Sequence, residues 1–485
     1  MGETKNKNGG KGPAPVTREW RRRRRRRAII LRSVALTVVL LVLVGAIWGV
    51  SVTIKRSNAK RTEEKEAQAA QIQAEEEALA HRKAVLEEAA LLAASYDYEG
   101  AIALIQNEKD YEQDGDLVAA AAKYSAEKST LVTVDAGTVQ HLLFRPLVYD
   151  HERAFDVSLQ GQSTVDTLKS WTVTVEEFNR ILEQMYQRGY VFVSIHDLVN
   201  VTENADGTIK MQKSKSIKLP AGKTPVILSI DDMSYYHSYE NRGFAEKLVL
   251  NEAGQIKAQY TDRNGVISMG DYDIIPIMET FFAEHPDASY KGARGLIALT
   301  GYNGVFGYRT DTAYQTKVNL GADQQQWLSK HPEYNWENEV AEATKIAEAL
   351  KECGWEFACN TWGKINLSSA SYETAQADHE KWEAAVQNIV GETDVLVFPY
   401  GMDMGNWKDY SADNALYMFY KSKGMHFFCN IDTSQKVWMQ IRSEYLRQGR
   451  INVDGSMIDR LMKGTTEVLN DVFDINQVVG SYRGI

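Results

Sequence analysis

Cysteine is scarce in this chain: three in 485 residues, at Cys353, Cys359 and Cys429. Three thiols form at most one disulfide, so a bridged scaffold is excluded as the source of stability. Cys359 and Cys429 fall on apolar, strand-like runs and are expected to be buried thiols. A nucleophilic cysteine needs a histidine base, and none is indicated beside them. An excess of basic residues is missing too. Lys and Arg number 55 against 65 Asp and Glu, a net charge of −10, which gives no support to nucleic acid as a partner. Two further absences are local. Ser33 to Ile54 holds no charge, and Ser57 to Ala94 holds neither Gly nor Pro.

The uncharged run has the length a helix needs to cross roughly 30 Å of hydrocarbon. It is too long for the apolar part of a cleaved leader, and no clear small-x-small exit precedes Lys55-Arg56. Arg21 to Arg27 form an unbroken tract before it and outweigh Lys55, Arg56, Lys60 and Arg61 beyond it. The positive-inside rule then puts the N-terminus in the cytoplasm and the rest outside the cell. Beside a span, topology and anionic lipid explain the arginines better than nucleic acid does. The chain therefore reads as a disordered basic tail (1–32), a single transmembrane helix (33–54), an extracellular helical stalk (55–130) and a large domain (131–485). The stalk is rich in good helix formers. Ile72, Leu79 and Leu86 recur every seven residues, which admits a coiled-coil homodimer. Ala89 to Lys128 reads as a helical pair, in which Tyr96-Asp97-Tyr98-Glu99-Gly100-Ala101-Ile102 resembles the turn of a tetratricopeptide repeat. A lone unit of that kind is no array and reads as a spacer.

In the large domain, strand-like runs at Val191–Ile195, Val226–Ile230, Gly295–Thr300, Glu356–Cys359, Val395–Phe398 and His426–Asn430 alternate with helical patterns, which argues for a parallel sheet. Thr174 and Glu177 form a capping box ahead of the apolar stripe Phe178, Ile181, Leu182 and Met185. Asn200 to Pro220 carries loop signals, and Asn251 to Asp271 reads as a β-hairpin insertion. The informative stretch is Pro225 to Ile230 followed by Asp231-Asp232. Two acids at the tip of a buried strand are costly unless something cationic faces them. A hydrolase uses such a pair as base and metal ligand.

The pair resembles the first motif, Thr-Phe-Asp-Asp-Gly, of the polysaccharide deacetylases, the NodB-homology family of carbohydrate N-deacetylases. Gly354 to Lys364 resembles the second motif, His-Ser/Thr-x-x-His, and Phe398-Pro399-Tyr400-Gly401 the third, Arg-x-Pro-Tyr-Gly. A divergent clostridial-type, membrane-anchored branch shares Asp231 to Tyr236, Ala298 to Gly304 and Arg447-Gln448-Gly449-Arg450. The resemblance implies a distorted seven-stranded (β/α) barrel. It implies Asp231 as catalytic base, Asp232 as metal ligand, and hydrolysis of N-acetyl groups on peptidoglycan or another polysaccharide with zinc. The departures are as telling. The two histidine positions hold Asn360 and Lys364, a poor zinc ligand and an ammonium with no lone pair. The third-motif arginine that orients the base aligns with Val397. Arg145 stands where relatives often have histidine.

Three arrangements fit these departures: a Lys364 salt bridge in a retired site, metal-free acid–base work by Asp231, Asp232 and Lys364, or a metal held by other residues with His237 as spare ligand. Tyr236, Tyr302, Trp362 and Tyr400 are candidate substrate-binding residues, because sugars stack on such rings; Tyr235, Tyr239, Tyr308 and Trp407 crowd the same mouth. The expectation is a degenerate deacetylase homologue at the cell membrane that binds cell-wall or other extracellular glycan and needs no cofactor. The alternatives are an active zinc hydrolase and a structural or sensory envelope protein.

Overall fold

The computed structural model describes residues 56–484 apart from Asp206. The cytoplasmic tail and the membrane span expected above lie outside the described residues. Among the described residues, no helix is long and apolar enough to cross a membrane. The chain divides between Leu131 and Val132 into two compact units.

The N-terminal unit is helical. The stretch without Gly or Pro forms one 39-residue helix, α1 (Arg56–Ala94). Tyr96 at φ +63° ends it, and Asp97 caps α2 (Tyr98–Gln106) by accepting from the Gly100 amide. A third helix, α3 (Gly115–Ser129), follows, capped by Asp114. Three helices therefore stand where a pair was expected, because the left-handed Asp110 and the Asp114 cap interrupt the run. Val85, Ala89, Ile105, Leu117 and Tyr124 make their shared core. Ile72 and Leu79 are exposed, while Leu86 packs partly on that core.

From Val132 the chain builds a barrel. Its strands are β1 (Gln140–Phe144), β2 (Tyr190–Phe192), β3 (Thr224–Asp231), β4 (Leu296–Leu299), β5 (Glu356–Cys359), β6 (Val395–Val397), β7 (Phe427–Ile431) and β8 (Leu446–Asn452). Seven of them close a parallel ring in the order β3-β4-β5-β6-β7-β8-β1 and back to β3. β2 stands outside it. It pairs with Thr224–Val226 of β3, whereas β4 takes the later residues Ser229–Asp231 on the same edge. That shared edge is the distortion of the barrel.

Alternation along each strand sorts the side chains. Leu142, Phe144, Leu228, Ile230, Ile297, Leu299, Phe357, Leu396, Phe398 and Phe428 join the outer hydrophobic core. That core is completed by α4 (Val175–Gln187), α5 (Ile274–Glu284), α6 (Trp336–Cys353) and α7 (Tyr372–Trp382). The alternate positions, including His141, Ser229, Asp231, Ala298, Ala358, Gln448 and Arg450, face the barrel axis and are buried. Polar residues here run down the inside, where bulky aliphatics usually pack. The capping box on α4 is present, and its Glu177 carboxylate also grips Arg483 through two 2.6 Å contacts.

Two local readings change. The region read as loop at 200–220 contains an antiparallel hairpin, Val199–Glu203 with Ile209–Lys213, closed by the Gly207 amide donating to the Asn204 carbonyl at 3.0 Å. The expected insertion is a three-stranded antiparallel meander, Lys247–Leu250, Ile256–Thr261 and Ile267–Gly270, rather than a two-stranded hairpin.

Candidate functional site

Asp231 is the last residue of β3 and points into the barrel. Asp232 follows at φ +66°, a left-handed conformation that Asp tolerates better than most residues. That turn brings the second carboxylate to the same end of the barrel as the first. Both are buried, and each has its own cation.

Arg450 holds Asp231 with a two-pronged fork: Nη1 donates to Oδ1 at 2.6 Å and Nη2 to Oδ2 at 3.1 Å. Its Nη1 also donates to Ser229 Oγ at 3.1 Å. Deeper in, Gln448 donates to the Val139 carbonyl at 3.0 Å, so its amide oxygen accepts from His141 Nδ1 at 3.0 Å. Burial, then the Arg450 charge, pushes His141 down to about 3 and leaves it neutral.

Lys364 holds Asp232. Its ammonium lies 2.8 Å from both carboxylate oxygens. Arg145 Nε stands 3.6 Å from Oδ2, and the Tyr236 hydroxyl donates to Oδ1 at 3.2 Å. Burial pushes the Asp232 carboxyl up, but Lys364, Arg145 and Tyr236 together outweigh it and hold the group below the usual carboxylate range. Tyr236 also shares a 2.6 Å hydrogen bond with Thr300 Oγ1 on the loop after β4. The Tyr400 ring centre lies 5.3 Å from the Lys364 ammonium, within cation–π range.

Asn360 continues β5 on the inner face. Asp231 is level with Ala298, and Ala298 with Ala358, which puts Asn360 two strands away, about 10 Å across the sheet and about 7 Å further along it. It is fully buried, and neither atom of its amide has a hydrogen-bond partner. Trp362 and Tyr302 meet edge to face at 5.8 Å, but Tyr302 spends its hydroxyl on Asp323 and Trp362 carries the Lys381 ammonium at 4.3 Å. They form a separate aromatic pair and make no recorded contact with the two acids. Asp232, Thr361, Lys364 and Tyr400 all have φ between +52° and +66°. Such conformations in non-glycine residues are uncommon, and in β-branched Thr361 costly; they gather where a site is held in shape.

Two expectations are corrected, at Val397 and beside Cys359. Val397 does lie buried on β6 without a side chain to orient Asp231, but the orienting arginine is present as Arg450, two strands further round the ring. His237, the spare ligand of the metal-bound alternative, takes the hydrogen-bonding role a lone histidine in a Tyr-rich loop more often has, with Glu240 Oε1 at 2.5 Å and the Tyr314 hydroxyl at 2.6 Å on its two nitrogens. A histidine does stand beside a cysteine, with His379 Nδ1 4.0 Å from Cys359 Sγ. Both are buried; burial pushes the thiol up and the imidazole down to about 4, so the pair is neutral rather than an activated thiolate.

Zinc does not fit this donor set. An ammonium sits on both oxygens of the one carboxylate ligand, and an ammonium cannot coordinate. At an effective dielectric near 20 its charge opposes a cation at contact distance by several kcal/mol per unit charge. Among the described residues, no group of three or more His, Cys, Asp or Glu could hold a metal ion.

No family model matches the chain, and no curated protein matches it. Among solved structures it is similar to the Streptococcus pyogenes deacetylase PplD in complex with acetate. The identity is 12%, the match covers 68% of this chain and 98% of that one, and the TM-score is 0.31. The barrel assignment rests on the strand pairing above.

Proposed function

We propose that this chain is a deacetylase-like barrel, carried outside the cell on a membrane-anchored stalk, that binds cell-wall glycan without metal-dependent turnover. The observation that carries the reading is the Lys364 ammonium on both oxygens of Asp232. It neutralises the carboxylate that a metal would otherwise neutralise, and with Asn360 it removes both imidazoles that the resemblance calls for. The acid pair, the oriented Asp231 and the left-handed loop residues are kept. Tyr400 is 55% exposed beside this centre and offers a ring face to a sugar.

The test is a pull-down of the protein on purified peptidoglycan and on chitin beads, with metal content by mass spectrometry and acetate release from chitin oligomers measured on the same preparation. Glycan retention with no stoichiometric zinc and no acetate release is the expected result. Zinc at one per chain with acetate release overturns it in favour of an active hydrolase. No retention on either glycan favours a structural or sensory envelope protein. Digestion of the large domain by protease added to intact cells tests the topology, and full protection refutes it.

A further inference from the structure

We propose a second carbohydrate site on the flank of the barrel, in the cleft between residues 437–443 and the hairpin strand Ile209–Lys213. The cleft is wide open to solvent, with a volume of about 950 Å³, and is lined by Met211, Lys213, Trp438, Met439, Ile441 and Arg442, among others. That volume falls in the range of small-molecule sites. One wall is the short strand Met439–Ile441, which runs antiparallel to Leu446–Gln448, the first half of β8. The cleft runs up the outside of the barrel: the Trp438 carbonyl accepts from the Gly449 amide at 2.9 Å, next to Arg450, whose side chain points inward to Asp231. The two walls are tied by a 2.7 Å hydrogen bond from the Met211 amide to the Ser443 carbonyl.

The lining is half apolar and half polar, and its charges are already matched. Arg442 donates from Nε to Asp409 Oδ2 at 2.8 Å and from Nη2 to Oδ1 at 3.0 Å. Lys213 pairs with Asp135. No net charge remains to draw a phosphate or a carboxylate. The guanidinium has five N–H groups and uses three, so fixed donors remain for hydroxyls.

Trp438 is the anchor. Trp407 meets it edge to face at 4.8 Å, and the fully buried Arg447 guanidinium lies 5.2 Å from its ring centre. Arg447 is itself fixed by an ion pair with buried Asp403. The indole is thus set in place before any ligand arrives, and a ring already immobilised loses little entropy on binding. A preset aromatic face, apolar floor and neutral forks of donors and acceptors suit a neutral oligosaccharide, whose C–H face stacks while its hydroxyls bond at the rim. The site does not depend on whether the barrel mouth binds anything.

The experiment is calorimetric titration of the full chain in detergent with two neutral probes, the hexamer of N-acetylglucosamine and the β-linked hexamer of glucose. Saturable binding of at least one is expected. Trp438→Ala weakens it about tenfold or more, as loss of an aromatic anchor does. Trp438→Phe stays within about threefold, under 1 kcal/mol. Arg442→Ala, at an exposed position, weakens binding without touching the fold, and it carries the test should Trp438→Ala fail to fold. Titrations are repeated in a Tyr400→Ala background, which silences the mouth, and the binding that depends on Trp438 and Arg442 persists there. If neither hexamer binds, the proposal is wrong. If Arg442→Ala and any folded Trp438→Ala bind as the parent does while Tyr400→Ala abolishes all binding, the glycan sits at the mouth and the flank site is refuted.

Discussion

Replacing Lys364 by Met removes the ammonium and keeps most of the stem. Asp232 then stays buried, with Tyr236 at 3.2 Å and Arg145 at 3.6 Å as its remaining partners. Stripping one partner from a buried pair costs roughly 3–5 kcal/mol. Two features lower that here. The Lys364 side chain keeps 22% of its exposure, so water screens part of the attraction, and Arg145 still supplies a nearby charge. About 2–3 kcal/mol is the expected loss. The left-handed backbone at residue 364 adds nothing, since Met is as strained there as Lys. Removing both charges, as Asp232→Asn with Lys364→Met, should return the protein to within about 1 kcal/mol of the parent, because no carboxylate is left without its cation and the new amide can still hydrogen-bond the Tyr236 hydroxyl. With Asp232→Asn alone costing on the order of 1 kcal/mol, the coupling energy of the cycle is about 2–3 kcal/mol. Guanidinium unfolding followed by tryptophan fluorescence measures all four proteins. Repeating the cycle in urea with 1 M NaCl should change it little, because buried pairs are poorly screened. A loss below about 0.5 kcal/mol for Lys364→Met, the range of exposed pairs, would refute the argument that the ammonium holds the carboxylate in place.

Arg450→Met strands Asp231 and Ser229 inside the barrel and should cost about 3–5 kcal/mol by the same assay, more than Lys364→Met because Arg450 is fully buried. His141 sets a pH dependence. Its folded pKa is about 3 against an ordinary 6.5, so the unfolded chain binds the extra proton between those values. Its contribution is complete above pH 6.5 and is lost as pH falls toward 3, at up to about 1.4 kcal/mol per pH unit. Comparing parent with His141→Gln by thermal melts between pH 4 and 8 isolates it, and the variant should show the shallower acid slope. Asn360→His with Lys364→His supplies two imidazoles and removes the repelling charge. Calorimetric zinc titration should show one site per chain in that variant and none in the parent.

How much was legible depended on whether a residue's role is local. The Asp231-Asp232 pair, the capping box and six of the strands carry their signals within a few neighbours. β8 does not. Leu446-Arg447-Gln448-Gly449-Arg450-Ile451-Asn452 has two arginines, a glycine and two amides, yet it is a buried barrel strand, because its polar groups find partners on β1, β3 and the loop around Asp403. No window of sequence contains those partners. Arg450, part of a phrase shared with the divergent branch, shows no role in sequence for the same reason: Asp231 lies 219 positions away. The stop in the helical run at Asp110 was missed because left-handed backbone in an aspartate leaves little compositional trace.

The ring closes where β8 meets β1, through Ile451 with Leu142 and Asn452 with Leu143. β8 is therefore the last strand of the barrel to be synthesised and the one that seals it. Until it arrives, β1 has one free edge, β7 another, and Asp231 has no guanidinium. A ribosome that has made the first 440 residues carries an open sheet with an unpartnered acid at its centre. The barrel can assemble only after that segment has left the exit tunnel. If the chain crosses a membrane as it is made, it crosses unfinished and folds on the far side, so a cut between Ile431 and Leu446 should leave an unfolded chain in place of a smaller barrel.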